Sequence, residues 1–128
     1  SKEASHRILG SIKRLNRLNV CNLDLNSCFF EEIEIRDLSF VDSKMTGLFL
    51  LKTHVYNTTF YNIKSNIMHC RDSEIFGCSF QEGKIEFNLH TTEIRSSLFK
   101  NINISSASFF TNNLSFTLFD NVNFSYSF

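Results

Sequence analysis

Apolar residues recur at every fifth position along most of this chain. The series runs from Val20 to Ile85, and Ser65 is its one polar member. It then slips by one residue and resumes at the same interval from Leu89 to Phe124. A second, weaker apolar series lies two residues earlier. A fixed internal repeat of this kind predicts a solenoid, in which successive turns of the chain stack on one another.

The repeat length also predicts the shape of each turn. A period of five fits neither an α-helix, which needs 3.6 residues, nor a flat strand, which needs 2. It fits a chain that turns a corner every five residues, so that four sides close one coil. Residues twenty apart then stack about 4.8 Å from one another, as neighbouring strands do. Two ladders support this register, one mostly phenylalanine and one aliphatic: Val20, Phe40, Phe60, Phe80, Phe99 and Phe119; Ile35, Val55, Ile75, Ile94 and Leu114.

Turn-forming residues occupy the predicted corners. Asn, Asp, Ser and Gly are favoured there because they tolerate the backbone conformations that tight turns require. The corner residues of these types are Asn22, Ser27, Asp37, Asp42, Gly47, Asn57, Asn62, Asp72, Gly77, Ser96, Asn101 and Asn121.

The pattern resembles that of pentapeptide-repeat proteins, whose motif is a small residue, Asp or Asn, Leu or Phe, and two variable residues. The best matches are Cys-Asn-Leu at 21–23, Ile-Asn-Ile at 102–104 and Val-Asn-Phe at 122–124. Elsewhere the small position often holds Leu, Ile or Met. The resemblance covers 18–128 and implies an all-β fold, a right-handed quadrilateral parallel β-helix of about five and a half coils.

Residues 1–17 lie outside the repeat and predict a short amphipathic α-helix. Ile8, Leu9 and Ile12 follow helical spacing, and basic residues occupy much of the remaining surface. An open coil end would expose apolar side chains and unpaired strand backbone. The helix is therefore predicted to cap the first coil around Val20. A basic helix that binds a membrane or a partner is the alternative.

Charge argues against two classes of function. Some pentapeptide-repeat proteins inhibit DNA gyrase with an acidic rod that resembles duplex DNA. Here the formal net charge is zero, and Lys44, Lys64 and Lys84 are predicted to stack on one side. Such a surface mimics a polyanion poorly. It is also not basic enough to predict nucleic acid as a partner.

The cysteines predict a reducing compartment. Cys28, Cys70 and Cys78 fall on inward positions, where a reduced thiol acts as a small apolar side chain. Reduced thiols indicate a cytoplasmic location, either the bacterial cytosol or a host cell if the chain belongs to a secreted effector. No apolar run reaches about 18 residues, so no membrane span is predicted.

Catalytic patterns are not found in the sequence. The four histidines are scattered without metal-ligand spacing, and there is no phosphate-binding loop, nucleophile elbow or Cys-x-x-Cys pair. The prediction is a non-enzyme with no catalytic, cofactor-binding or metal-binding residues.

One side of the predicted coil carries the strongest candidate surface. Arg36, Tyr56, Phe76 and Arg95 would form an outward column, with Glu34, His54, Glu74 and Glu93 beside it. The adjoining side would expose Phe29, Phe49 and Leu51. Arginine and aromatic residues anchor protein interfaces, which predicts binding of a protein partner through these residues. The alternative is that the rings only cover the outer strand surface.

Charge nearly disappears after Ser96, while aromatic residues become frequent. This predicts self-association or a further domain at the C-terminal end. The expected function is a non-catalytic protein-interaction scaffold, the β-helix module of a larger bacterial effector. The alternative is an inhibitor or protector of a DNA topoisomerase that acts by DNA mimicry.

Overall fold

The computed structural model describes residues 1–105 and 114–125, which form one helix followed by a stack of short strands. The helix α1 spans Lys2–Arg17. The strands are β1 (Phe29–Glu31), β2 (Glu34–Arg36), β3 (Ser39–Val41), β4 (Leu48–Leu51), β5 (His54–Tyr56), β6 (Thr59–Arg71), β7 (Glu74–Phe76), β8 (Ser79–His90), β9 (Glu93–Arg95), β10 (Leu98–Ser105) and β11 (Leu118–Ser125).

The strands form a parallel β-solenoid of about four turns, which confirms the predicted fold class with its N-terminal helix. A seven-stranded sheet runs in the order β1-β4-β6-β8-β10-β11, with β3 also paired to β6. A four-stranded sheet has the order β2-β5-β7-β9. Phe40 pairs with Phe60, and Phe60 with Phe80, as the twenty-residue register predicts. The five and a half coils predicted for 18–128 include residues outside the described ranges, so that number stays a prediction.

Every predicted corner residue has a positive φ, from 47° at Asn57 to 74° at Gly47. Small and Asx-type residues adopt this left-handed conformation most readily. Among the described residues, five further corners adopt it without a favourable residue: Glu32, Lys52, Glu82, Thr91 and Phe116. The geometry of the coil therefore imposes the conformation, and the sequence supplies favourable residues at most corners.

The one-residue slip in the sequence corresponds to a shift in strand pairing. Ser65 pairs with Ile85, twenty residues on, whereas Met68 pairs with Phe87, nineteen residues on. Gly83 lies just before this shift with φ +90°, and a Cβ there would come within 2.4 Å of a backbone oxygen. Only glycine fits that close approach of two coils.

The core contains a continuous stack of phenylalanine rings. Phe60 and Phe80 are 4.6 Å apart between centroids, and Phe80 and Phe99 are 4.7 Å apart. Both pairs are almost parallel, because each ring repeats the position of the ring one coil away. This ladder is the phenylalanine series predicted from the sequence.

A second inward series carries buried hydroxyl groups. Thr53, Ser73 and Thr92 each donate a hydrogen bond to the backbone oxygen two residues earlier, at 2.9–3.0 Å. Ser73 also accepts from the Thr53 N–H, at 3.1 Å. These bonds satisfy polar groups inside the coil, which explains why the weaker series tolerates Ser and Thr.

The helix covers one end of the solenoid. Leu9 and Ile12 are buried in the core. The Ser5 hydroxyl accepts a hydrogen bond from the Glu31 N–H at 2.9 Å, at the edge of β1. The Asn16 side chain accepts from the Ser39 N–H at 3.3 Å and donates to the Ser39 oxygen, at the edge of β3. Two side chains of α1 thus take the place of a neighbouring strand.

Within residues 1–105 and 114–125, three residues of the main apolar series are exposed, contrary to the prediction that they face a closed core. Val20, 38 % exposed, directly follows the helix, and its N–H bonds to the Leu15 oxygen instead of another coil. Phe119 and Phe124 lie on β11, which pairs only with β10 among the described strands. An inward side chain is fully covered only when coils lie on both sides of it.

Candidate functional site

The four-stranded sheet carries the predicted surface. Pairing places Arg36 beside Tyr56, Tyr56 beside Phe76, and Phe76 beside Arg95. We call these four residues the aromatic–arginine column. The residues one position earlier in the chain, Ile35, Val55, Ile75 and Ile94, are buried in the core. Alternation along each strand therefore directs the column outwards, as predicted.

The four side chains of the column contact one another in sequence. The Arg36 guanidinium carbon lies 4.5 Å from the centroid of the Tyr56 ring. The Arg95 guanidinium carbon lies 5.5 Å from that of Phe76. The two rings meet edge to face, with centroids 6.4 Å apart. Cation–π contacts at both ends thus hold the rings in place.

Carboxylates beside the column hold the two arginines. Glu34 Oε1 accepts from Arg36 Nε at 2.7 Å, and this hydrogen bond raises the pKa of Arg36. Arg95 lies 3.1 Å from Glu93 and 3.5 Å from Glu74. Its Nε is buried and approaches Glu93 without hydrogen-bond geometry. We regard this contact as an ion pair, in which Coulomb attraction tolerates the misalignment.

Tyr56 also contacts the neighbouring column. Its hydroxyl lies 3.1 Å from Nδ1 of His54, and the two rings are 5.8 Å apart. Burial raises the pKa of the Tyr56 hydroxyl, and the nearby negative charges of Glu74 and Glu34 raise it further. The tyrosine therefore remains a neutral hydrogen-bonding group.

An open depression of about 520 Å³ lies along the column, lined by Arg36, Tyr56, Asn57, Glu74, Phe76, Gly77 and Arg95. Gly77 lines it at a corner and contributes no side chain. A Cβ added to Gly77 would meet nothing closer than the Asn57 nitrogen, at 4.0 Å. We call it the Gly77 depression.

The adjoining side carries a second aromatic row. Phe29 and Phe49 are 5.3 Å apart between centroids, and Phe49 and His69 are also 5.3 Å apart. Asn88 follows His69 in this row, and its amide nitrogen lies 3.1 Å from His69 Nδ1. Phe29 is exposed, whereas Phe49 and Leu51 are half-buried instead of exposed. Stacking between neighbouring coils covers much of these two side chains.

The cysteines and the other potentially reactive side chains do not form a reactive site within the described residues. All four cysteines are free, and burial raises the pKa of Cys70 to about 12 and that of Cys78 to about 11. Both thiols therefore stay protonated near neutral pH and are poor nucleophiles. Within residues 1–105 and 114–125, no cluster of three or more His, Cys, Asp or Glu side chains could hold a metal ion.

Sequence reasoning did not identify the Gly77 depression. The sequence predicts Gly77 only as a turn former, like Asn57 at the same corner one coil earlier. A signal was present, because Gly77 lies between Asn57 and Ser96 in a corner column that otherwise carries side chains. Reading that column down the coils would have indicated a gap beside Phe76.

No helix within the described ranges is both long and apolar enough to cross a membrane. No protein-family model matches the chain, and comparisons with curated proteins and with solved structures also find no match. The resemblance to pentapeptide-repeat proteins therefore stays a prediction.

Proposed function

We propose that this chain is a non-catalytic protein-interaction scaffold that binds a protein partner through the aromatic–arginine column. The observation that carries the proposal is the column itself, in which two outward rings lie between two arginines. Tyrosine, phenylalanine and arginine supply much of the binding energy at protein interfaces.

The rigidity of the surface supports this role. The rings of Tyr56 and Phe76 project from β5 and β7, and each of these strands is paired on both sides. Their side chains are held further by the contacts with Arg36 and Arg95. Groups that are already ordered lose little entropy on binding, so more of the contact energy contributes to affinity.

The burial and contacts of the buried cysteines and of two histidines support a non-catalytic role. Cys70 and Cys78 are buried with raised pKa values. His69 stacks on Phe49 and contacts Asn88, and His54 contacts Tyr56. Each of these groups has a structural role. The larger context that we propose, the β-helix module of a bacterial effector, rests on fold analogy alone.

Inhibition of a DNA topoisomerase through DNA mimicry is less well supported. Lys44 pairs with Lys64, and Lys64 pairs with Lys84. This column places positive charges where a mimic of duplex DNA needs negative ones. We therefore expect a gyrase supercoiling assay to show no inhibition by the purified protein.

The test of the proposal compares partner capture by variants of the full chain. Phe76→Ala should leave folding nearly intact, within about 0.5 kcal/mol, because the side chain is 41 % exposed. If Phe76 is an anchor, the substitution should reduce the binding free energy of a captured partner by roughly 1–4 kcal/mol. Affinity capture with mass spectrometry would identify partners, and titration with each purified partner would give the Kd.

Lys64→Ala, on a different side of the coil, is the matched control and should bind like the wild type. A partner that binds the double variant Tyr56→Ala/Phe76→Ala unchanged would exclude this surface. Unfolding of the single variant Phe76→Ala would show that the ring belongs to the core.

A further inference from the structure

We propose that a phosphate group binds in a depression of about 160 Å³ on the side of the coil that carries the second aromatic row. His69, Arg71 and His90 supply the donors, and we call this depression the His–Arg site. It lies on the side that adjoins the aromatic–arginine column, so the proposal is independent of the proposed function.

Strand pairing brings the polar side chains of this site together. His69 pairs with Asn88, and Arg71 pairs with His90, between β6 and β8. Paired residues are about 4.8 Å apart, and alternate residues of one strand are about 6.6 Å apart on the same face. Cys70, between His69 and Arg71, is buried, so its two neighbours project outwards. The donors therefore lie around an area small enough for one anion to contact them all.

The lining of the His–Arg site contains no carboxylate. The residues that line it are Phe49, His69, Cys70, Arg71, Asn88 and His90. A guanidinium group only donates hydrogen bonds, and an imidazole ring donates at least one in either protonation state. Arg71 takes part in none of the ion pairs within the described ranges. An anion therefore does not have to displace a carboxylate from this guanidinium.

Carboxylates near this face do not reverse the preference for an anion. Residues 29–31, 49–51, 69–71 and 88–90 contain one carboxylate, that of Glu31. Glu31 pairs with Leu51, and Leu51 pairs with Arg71, so Glu31 lies two coils from the guanidinium. The corners that follow β4 and β6 carry Lys52 and Asp72, whose charges offset one another.

His69 is held in an orientation that suits a donor. Its ring stacks on Phe49 at 5.3 Å, and its Nδ1 lies 3.1 Å from the Asn88 amide nitrogen. Because an amide N–H donates, Nδ1 accepts, and the neutral ring carries its proton on Nε2. Both β6 and β8 are paired on both sides, which fixes the backbone. Donors that are already ordered lose little entropy when a ligand binds.

Phosphate fits this arrangement better than a carboxylate does. One guanidinium group satisfies both oxygens of a carboxylate, and the two imidazole groups would then have no acceptor. A phosphate group has further oxygens for them. Two sources provide such a group, free phosphate and a phosphorylated side chain of a partner protein, and the experiment distinguishes them.

The experiment is an NMR titration of the full chain with sodium phosphate, at constant pH and at an ionic strength held constant with sodium chloride. The amide signals of His69, Arg71 and His90 should shift and reach saturation. Arg71→Gln should weaken binding about fivefold or more, because it removes the charged donor. Asn88→Asp keeps the shape and places a carboxylate beside the anion, so it should weaken binding to a similar degree.

Each variant has a control with the same charge change elsewhere. Arg7→Gln alters an exposed arginine of α1, and Asn103→Asp alters an exposed asparagine on another side of the coil. Both should bind phosphate like the wild type. Phe76→Ala should also bind it unchanged, so the His–Arg site and the proposed function can fail separately. Dispersed amide signals would verify that each variant folds.

A second titration uses the capped tripeptide Gly-phosphoserine-Gly, with Gly-Ser-Gly as its control. Tighter binding of the phosphopeptide than of phosphate would support a phosphorylated partner, and equal binding would support free phosphate. Three results would overturn the proposal: no saturable shifts at the His–Arg site with either phosphate ligand, equal shifts with Gly-Ser-Gly, or losses in Arg71→Gln and Asn88→Asp no larger than those in their controls.

Discussion

At the scale of single residues, Phe60 shows how one inward side chain supports several coils. Its ring lies 5.4 Å from that of Phe40 and 4.6 Å from that of Phe80. Phe60→Ala would remove contacts with both neighbouring coils and leave a cavity. We expect it to lower the free energy of unfolding by roughly 3–5 kcal/mol, measured by urea denaturation.

Tyr61→Ala is the matched control for Phe60→Ala. Tyr61 is the next residue on the same strand and is 43 % exposed, so its loss should change stability far less. If the two variants unfolded at the same urea concentration, the inward and outward assignments on β6 would be wrong.

Ser65, the polar member of the main apolar series, is buried and faces the core. Its hydroxyl donates to the Met45 oxygen at 2.9 Å. Ser65→Ala should lower the free energy of unfolding by about 1 kcal/mol, because one buried hydrogen bond is lost. The effect is limited, since the Met45 oxygen also accepts from the Leu48 N–H at 3.2 Å. Asn66→Ala, at the exposed neighbour, should change little, and equal stability of both variants would contradict the role of this bond.

At the scale of elements, α1 stabilises the first coil through both apolar and polar contacts. Ser5 is fully buried, and its hydroxyl receives the Glu31 N–H at 2.9 Å. Ser5→Ala leaves this edge N–H without that acceptor and should lower the free energy of unfolding by about 1–3 kcal/mol. Urea denaturation followed by circular dichroism would measure the change.

Ser11→Ala is the control for the helix itself. Ser11 is exposed, and its hydroxyl contacts only residues of α1, the Arg7 oxygen at 3.4 Å and the Arg14 side chain at 3.1 Å. The variant should unfold within about 0.5 kcal/mol of the wild type. A loss as large as that in Ser5→Ala would mean that hydroxyl contacts within α1, and not the contact of Ser5 with β1, account for the effect on stability.

At the scale of the whole molecule, the four cysteines differ in solvent exposure, so their reactivity measures how well the core excludes solvent. Cys21 is exposed and Cys28 is half-buried, with a pKa raised by burial and by Asp24. Cys70 and Cys78 are buried. In the native protein we expect iodoacetamide to modify Cys21 first, Cys28 more slowly, and the other two only after unfolding. Peptide mass spectrometry over time would measure each rate, and early labelling of Cys70 would contradict a closed core.

The same thiols predict an alkaline limit to stability. The ordinary pKa of a cysteine is 9.0, while burial raises that of Cys70 to about 12. The unfolded chain therefore releases this proton at lower pH than the folded chain. The contribution of the buried Cys70 thiol to the free energy of unfolding is fully present below pH 9.0. It is lost as the pH rises toward about 12.

The sequence by itself determined the repeat, and with it much of the candidate site. Because residues twenty apart stack in a coil of four five-residue sides, the spacing alone places Arg36, Tyr56, Phe76 and Arg95 in one column. It also located the slip after Ile85. Periodicity is sufficient here because each coil repeats the geometry of the previous one.

Only the tertiary structure decided what lies between the repeats and at their ends. The stacking of Arg36 on Tyr56 depends on side-chain rotamers, which a period does not specify. The open space at Gly77 depends on how the neighbouring side chains pack around a residue without a Cβ. The exposure of Val20 and the use of Ser5 and Asn16 as substitutes for a strand depend on how α1 crosses the first coil. A repeat specifies neighbours inside the stack, whereas at its end the neighbours come from non-repeating chain, and packing alone selects them.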